Sequence, residues 1–394
     1  MSGELPSPRG LALGARNKAE WDQPAARRQG LRDLYHLHRY GVSFRAPRVL
    51  PLTLDLDRSL PALEALRWFV EHPWSTALLV MCGERIVFEH YAADFAPGRL
   101  HSLQSITKTS VHLLAGRLIE RGLLDPTRQV CEYLPDIGSG YAAAPVQDLL
   151  DMAVDNDYTE DYGDPGATVG LLEDAHGWRV LPGYSHINLR EFLATVTASA
   201  PNAGPRRLCY KTANTDVVAW ICESLSRQEL RSYYLELVEA AGTEDIVHLS
   251  TDRAGTPFAG GGLHMSLRDL GRYGLLLARG GSGLGGLRVG STSFRDATRV
   301  QCVAGTPSLL GSGHYRNFTE TEGTWLGHNG YGGQWLMAYP ESEIVIACLS
   351  GLADAGGHDW SYLARLAAMG EQIAGELTGG AHARRSKASP QTVL

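Results

Sequence analysis

Lysine is nearly absent from this chain. Of its 36 basic residues among 394, only Lys18, Lys108, Lys211 and Lys387 are lysines. Arginine holds its proton at any physiological pH, whereas lysine can release one, so a chain that spends arginine freely marks its few lysines for chemistry. Two of the four lie near the ends; the other two, Lys108 and Lys211, fall in the body of the chain. A cationic excess is missing too: the net charge is −7, which argues against non-specific nucleic-acid binding. No apolar run approaches the roughly 18 residues needed to span a bilayer, and residues 1–29 lack the apolar core of a secretory signal. The expectation is a cytoplasmic protein with no membrane partner. The six cysteines are scattered without a C-x-x-C pair, which excludes a structural zinc site or a disulfide framework and leaves small buried hydrophobes in a reducing compartment. There is no P-loop, no H-E-x-x-H and no G-x-S-x-G. The fourteen histidines show no ligand spacing, so neither metal nor cofactor is expected. Gly281–Gly286 fits G-x-G-x-x-G but follows a helix instead of a strand, and reads as a flexible turn.

What is present is an ordinary globular composition, 44% hydrophobic and 20% charged, in a chain long enough for one large domain or two. Residues 1–45 read as an irregular N-terminal extension with a helical piece near Leu31–Tyr35. Helical spacing runs over Leu60–Glu71, from Ser105 to Gly122, and over Val146–Val154, Thr212–Ser224, Leu230–Ala241, Leu267–Leu277 and Trp360–Ile373, with a further start at Asn188. Ser75–Met81 and Arg85–Tyr91 read as a hairpin, as do Gln334–Tyr339 and Ile344–Leu349, with Trp325–Gly330 beside them. Strand pairs at both ends around a helix-rich middle predict one antiparallel sheet built from the terminal segments. This α/β (α+β) arrangement has an α/β domain of residues 46–104 and 256–378 and a mainly helical lobe of residues 105–255. The segment 155–190 reads as an ordered, irregular loop near a site, because its length is typical of functional loops and it carries Tyr158, Tyr162 and Trp178. The tail from residue 379 reads as polar and mobile.

Three clusters carry chemistry. Ser105 and Lys108 are one helical turn apart on one face, so a lysine able to go neutral would stand beside a hydroxyl as a built-in base. That requires a pKa drop of about 2–3 units, more than a helix end supplies, so burial has to provide most of it. Tyr210 precedes the Thr212 helix next to Lys211, and a nearby cation favours phenolate. The third cluster, Gly327-His328-Asn329-Gly330-Tyr331-Gly332-Gly333, reads equally as a hairpin turn or as backbone opened for a ligand, with N–H groups free to meet an oxyanion.

Taken in order, Ser105-x-x-Lys108, Tyr210-x-Thr212 and His328-x-Gly330 resemble the motifs of the serine β-lactamase and penicillin-binding-protein superfamily. The stretches Asp157–Pro165 and Tyr210–Ile221 look most like its 6-aminohexanoate-dimer hydrolase and esterase-like branch. The likeness covers roughly residues 70–375. It implies a β-lactamase/transpeptidase-like fold, Ser105 as acyl-accepting nucleophile, Lys108 as base and Tyr210 as general acid/base. It also implies an oxyanion hole from the Ser105 and Tyr331 amides, with Tyr162, Thr212, His328 and Gly330 contacting substrate. Three departures stand out. His328-Asn329-Gly330 replaces K-T-G, Thr212 stands where lactamases commonly have Asn, and Gly260 stands where the nylon-oligomer enzyme has a larger residue. The first removes the usual partner of a β-lactam carboxylate, so the resemblance points to an amidase or carboxylesterase acting on a small amide or ester. The acids of residues 155–164 suggest an amine-bearing substrate. Two alternatives remain open: a transacylase passing the acyl group to an amine or alcohol, and a non-catalytic penicillin-sensor-like binder. The oligomeric state is not legible.

Overall fold

The computed structural model describes residues 17–179, 187–199, 207–300, 313–354 and 356–387. Twelve strands are described: β1 (Gly41–Phe44), β2 (Thr53–Leu54), β3 (Ser75–Cys82), β4 (Arg85–Tyr91), β5 (His101–Ser102), β6 (Val247–Ser250), β7 (Leu263–Met265), β8 (His314–Arg316), β9 (Thr319–Thr321), β10 (Leu326–Gly330), β11 (Gln334–Tyr339) and β12 (Ile344–Ser350).

The larger sheet has the order β2-β4-β3-β12-β11-β10-β9-β8, antiparallel except where β2 runs parallel to β4. The two ends of the chain meet where β3 pairs with β12, Val80 opposite Ile346. Successive side chains leave a strand on opposite faces. Leu79, Met81, Val345 and Ala347 therefore enter one core, while Leu78, Val80, Ile344 and Ile346 enter another. The helix Leu267–Ala278 covers the first face, and it lies close because Gly274 opposes Val345 and Leu336, where a Cβ would collide. Helices Glu64–Glu71 and Trp360–Lys387 cover the second. Each fully buried Leu or Ile contributes about 1.5–3 kcal/mol by leaving water, so both faces are needed to hold so long a sheet.

A second sheet, β1-β6-β7-β5, was not legible in the sequence, because strands of two to four residues are too short to show alternation. It matters because β5 leads directly into the Ser105 turn, and the Leu103 amide is fastened to the Leu263 carbonyl at 2.9 Å. The helix Lys108–Glu120 that follows is buried around nearly its whole circumference and packs on Thr212–Ser226. Its Thr109 and Ser110 hydroxyls meet the Tyr273 and Tyr234 hydroxyls at 2.6 and 2.9 Å.

Several boundaries differ from the sequence reading. The Val146 helix stops at Leu150, and the 155–190 segment contains a helix, Val169–Ala175; residues 180–186 of that segment lie outside the described residues. The last helix continues to Lys387, past Gly379 where the tail was placed, and residues 388–394 lie outside the described residues. The lead over residues 1–45 holds helices Asn17–Trp21 and Arg27–Leu37 as well as β1, with residues 1–16 outside the described residues. Trp21 is fully buried there, and buried Arg32 pairs with Asp94 at 2.7 Å. Gly281–Gly286 is a turn, with Gly281, Gly285 and Gly286 at positive φ. None of the five described cysteines is paired; Cys222 and Cys348 are buried, whereas Cys82, Cys131 and Cys209 are half-buried.

Burial also sets an acid limit. It holds the imidazoles of His101, His112 and His328 neutral, their pKa values pushed down to about 3, about 4 and about 3. In the unfolded chain each would protonate near about 6.5. Their neutral burial is therefore without cost above that pH. As pH falls from about 6.5 towards 4, the unfolded chain gains protons that the fold refuses, and stability drops by about 1.4 kcal/mol per pH unit for each group. Thermal unfolding followed by circular dichroism should show Tm falling steeply below pH 6, and a flat profile down to pH 5 would contradict neutral buried imidazoles.

Candidate active site

Ser105 sits in a single 3-10 turn, Gln104–Thr107, that feeds the Lys108 helix. The residue before it, Gln104, adopts φ +51°, a left-handed conformation that costs a non-glycine residue about 1–3 kcal/mol. Surrounding contacts hold it there. The Gln104 side-chain Nε2 donates to Ser102 Oγ at 2.7 Å, and β10 closes on the turn at Gly330, where a Cβ would lie 2.6 Å from the Leu103 carbonyl oxygen. Gly330 is thus required by packing, and the following Tyr331 lines one cavity together with Ser105. Gly332 and Gly333, at φ +80° and +89°, complete the β10–β11 turn.

Lys108 is fully buried, its Nζ 2.9 Å from Ser105 Oγ, 3.1 Å from Thr212 Oγ1 and 2.7 Å from the Gly260 carbonyl oxygen. Burial pushes its pKa down to about 8, against the opposing pull of Glu160 and Asp216. A neutral amine has two N–H donors and one lone pair. Two donors suit Gly260 and Thr212, which leaves the lone pair for the Ser105 hydroxyl. Thr212 Oγ1 is free to accept because its own proton goes to Glu160 Oε1 at 2.6 Å.

The Gly260 carbonyl is itself placed by Asp216, which accepts from the Ala259 and Gly260 amides at 2.9 and 3.2 Å. Burial pushes the Asp216 carboxyl up to about 8. A Cβ at position 260 would run into Thr212 and Phe258, so glycine here follows from close packing.

Tyr210 lies across from Lys108, whose Nζ is 5.1 Å from its ring centroid, and its side chain is hydrogen-bonded to Ser105. The sequence reading assigned the neighbouring cation to Lys211. That is corrected here: Lys211 Nζ turns away and donates to the Asn156 and Tyr158 carbonyl oxygens at 2.7 and 2.8 Å and to Asn156 Oδ1 at 2.6 Å. Nor does phenolate prevail, because burial, with Glu160 adding to it, pushes the Tyr210 phenol well up. Tyr210 therefore keeps its phenolic proton beside the serine.

A cavity of about 400 Å³ opens beside Ser105, lined by Tyr210, Tyr162, Tyr331, Asn329, His358 and Trp360 among others. Tyr162 donates to Glu160 Oε1 at 2.9 Å, and its ring centroid lies 5.1 Å from that of Tyr331. Of the other expected substrate contacts, Thr212 lines a narrow recess on the opposite side of Ser105, while His328 and Gly330 do not line this cavity. His328 is fully buried with its ring nitrogens against Tyr315 Oη and the Asn329 carbonyl oxygen, because strand alternation turns it away and presents Asn329 to the cavity. Thr212 is engaged by Lys108 and Glu160. Sequence reasoning missed the bridging part of Glu160, although it stands two residues before Tyr162. It also passed over Asp216, Asn329 and His358. On the other side of Ser105 lies a narrow recess of about 20 Å³ lined by Trp178, Phe258, Gly260 and Glu173, where Lys18 also reaches.

A model of the Beta-lactamase family matches residues 69–368. The chain belongs to that family. This family member is 31% identical over 366 residues to 6-aminohexanoate-dimer hydrolase of Paenarthrobacter ureafaciens, covering 89% of this chain and 92% of the relative. Among solved structures, a Bacillus anthracis protein described as a 6-aminohexanoate-dimer hydrolase superposes with a TM-score of 0.80 at 18% identity, over 95% of this chain and 99% of that one. A D-stereospecific amidohydrolase from Streptomyces gives a TM-score of 0.53 at 17% identity, over 77% and 96%. At such identities the structures speak for the fold alone, which is β-lactamase/transpeptidase-like. The chain is a β-lactamase-family hydrolase with amidase- and esterase-like relatives. No described helix is long and apolar enough to cross a membrane.

Proposed function

We propose that this protein is a serine amidase or carboxylesterase that cleaves a small amide or ester through an acyl-Ser105 intermediate. The observation that carries the reading is the buried Lys108 amine 2.9 Å from Ser105 Oγ, its pKa drawn towards neutrality. In the forward step neutral Lys108 takes the Ser105 proton as Oγ attacks the carbonyl carbon. The Ser105 and Tyr331 amides receive the developing oxyanion, where preorganised donors act most strongly. Tyr210, protonated and facing the serine, gives its proton to the departing amine or alkoxide and recovers it from Lys108. Water then attacks the acyl ester by the reverse route. Glu160 and Asp216 position Lys108 through Thr212 and Gly260.

Because the neutral amine is the active form, kcat/KM for an uncharged ester should rise about tenfold per pH unit below the Lys108 pKa and level off above about 8. A limb near about 6.5 instead would assign the base to a histidine. The reading is tested by screening amides, esters and lactams with wild type and Ser105→Ala side by side, and by intact-mass detection of an acyl adduct. Turnover by wild type alone, with the adduct mapped to Ser105, supports it; equal turnover by both proteins overturns it.

A second reading, transfer of the acyl group to an amine or alcohol, draws support from the aromatic walls of Tyr162, Tyr331 and Trp360 in the 400 Å³ cavity, which suit an organic acceptor. Amide formation from an ester and added amines separates it from hydrolysis.

A further inference from the structure

Lys18 was set aside in the sequence as a terminal lysine, yet only 2% of it is exposed. Its Nζ forms an ion pair with Glu173 and lies 3.7 Å from Asp22 Oδ2. The same nitrogen stands 4.9 Å from the Tyr162 ring centroid and 5.3 Å from that of Tyr331, the aromatic pair beside Ser105. Glu173, 4% exposed, also accepts from Arg179 Nε at 2.9 Å. Lys18 and Glu173 line both the narrow recess that reaches Ser105 and an outer pocket of about 340 Å³ that includes Asp22, Arg27 and Arg179. The N-terminal segment therefore sets an ammonium at the junction of the two spaces. A carboxylate and two aromatic faces are the groups that would otherwise receive a cation from a ligand. The recess is otherwise walled in part by the apolar side chains of Phe258, Trp178, Leu172 and Val169. The acids of residues 155–164 are engaged elsewhere: Asp161 and Asp164 accept from the Gly163 and Gly166 amides, Asp155 and Asp157 from Ser199 and Thr197, and Glu160 from the Tyr162 and Thr212 hydroxyls.

We propose that Lys18 is a specificity-determining residue that fills the cation position at the end of the acyl recess, so that Ser105 accepts a short, uncharged acyl chain and rejects one ending in an ammonium. The proposal rests on the acyl-Ser105 reading and adds the substrate class to it. An acyl chain with a terminal amine, such as the 6-aminohexanoyl group named for the Paenarthrobacter relative, would bring a second ammonium against Lys18. Two like charges held together in a recess repel strongly, and of the two carboxylates beside Lys18, Glu173 is already shared with Arg179 and Asp22 with Arg27. Without Lys18, Glu173 would be left with Arg179 alone and open to an incoming cation.

The test uses a chain-length series of straight-chain acyl p-nitroanilides, each made with and without an ω-amino group. Wild type should favour the uncharged member of the best pair by roughly tenfold or more in kcat/KM. Lys18→Met should raise kcat/KM for the ω-amino substrate about tenfold, with the uncharged one changed less than about threefold. Lys18→Arg, which restores the charge, should return the wild-type ratio. Adding Glu173→Gln to Lys18→Met should erase the gain. A purely structural strut would lower both rates together and leave their ratio alone. A ratio within about twofold of wild type in Lys18→Met, or wild type preferring the ω-amino substrate, overturns the proposal. Calorimetric binding of the same intact amides to Ser105→Ala and to Ser105→Ala/Lys18→Met gives the charge preference without turnover. A Ser105→Ala protein that still hydrolyses the amides would therefore refute the acyl-enzyme reading while the binding pair still decides the part played by Lys18.

Discussion

Ser105→Ala is expected to abolish turnover, by roughly 10⁴–10⁶-fold, and to remove any acyl adduct from the intact mass spectrum. The size of the loss follows from chemistry. Without Oγ there is no covalent step, and only the oxyanion amides and the cavity remain to assist water, which typically leaves a residual enhancement of about 10³–10⁴ over solution. The fold should be undisturbed, since the hydroxyl's partners are Lys108 and Tyr210 and the side chain lies at the cavity wall. Circular dichroism and a Tm close to wild type would verify this. Retention of more than about one part in a hundred of wild-type kcat would remove Ser105 from the nucleophile's place.

The second large effect is at Lys108. Lys108→Met should lower kcat/KM by roughly 10³–10⁴-fold. Methionine fills the same buried channel, so the loss reports the amine and not a cavity. The Gly260 carbonyl and Thr212 Oγ1 lose a donor, which costs about 1–3 kcal/mol for each group left unpaired, and Tm should fall. The diagnostic reading is the pH profile. If the limb near 8 belongs to Lys108, the residual activity of Lys108→Met should lack it. A mutant with low activity and an unchanged limb would assign that titration to another group, and Asp216, held near the same value by burial, is the one to replace next, as Asp216→Asn.

The two lysine motifs illustrate how far sequence reasoning reaches. Ser105 and Lys108 are three residues apart in one turn, and local geometry alone brings them together. Lys211 stands beside Tyr210 in sequence just as closely, yet its chain bends back to Asn156 and Tyr158 while Lys108, 102 positions upstream, supplies the cation that faces the tyrosine. Adjacency along a chain entering a helix does not determine direction. His328 and Asn329 make the same point on a strand. Alternation guarantees that one faces the cavity and the other the core, but the choice depends on register against β11, where Asn329 lies opposite Trp335.

The central hairpins were readable for the opposite reason. The nearly unbroken apolar runs of β3 and β12, eight and seven residues long and bounded by Cys82-Gly83-Glu84 and by Pro340–Glu343, can bury both faces only as interior strands, and they pair at the centre of the sheet with β4 and β11 beside them. Short strands such as β5 and β7 carry no such signal, and it is their pairing that fixes the Ser105 turn.

By itself, then, the sequence determined the interior strands, the helix that carries Ser105 and Lys108 one turn apart, and the scarcity that singled out lysine. Spacing suffices wherever neighbours lie within a turn or a pleat. The tertiary structure alone decided that Lys108 is dry enough to lose its proton near neutrality. It alone set Lys18 against Glu173 across 155 positions of chain. Both depend on which distant segments exclude water from a charge, and no local pattern encodes that.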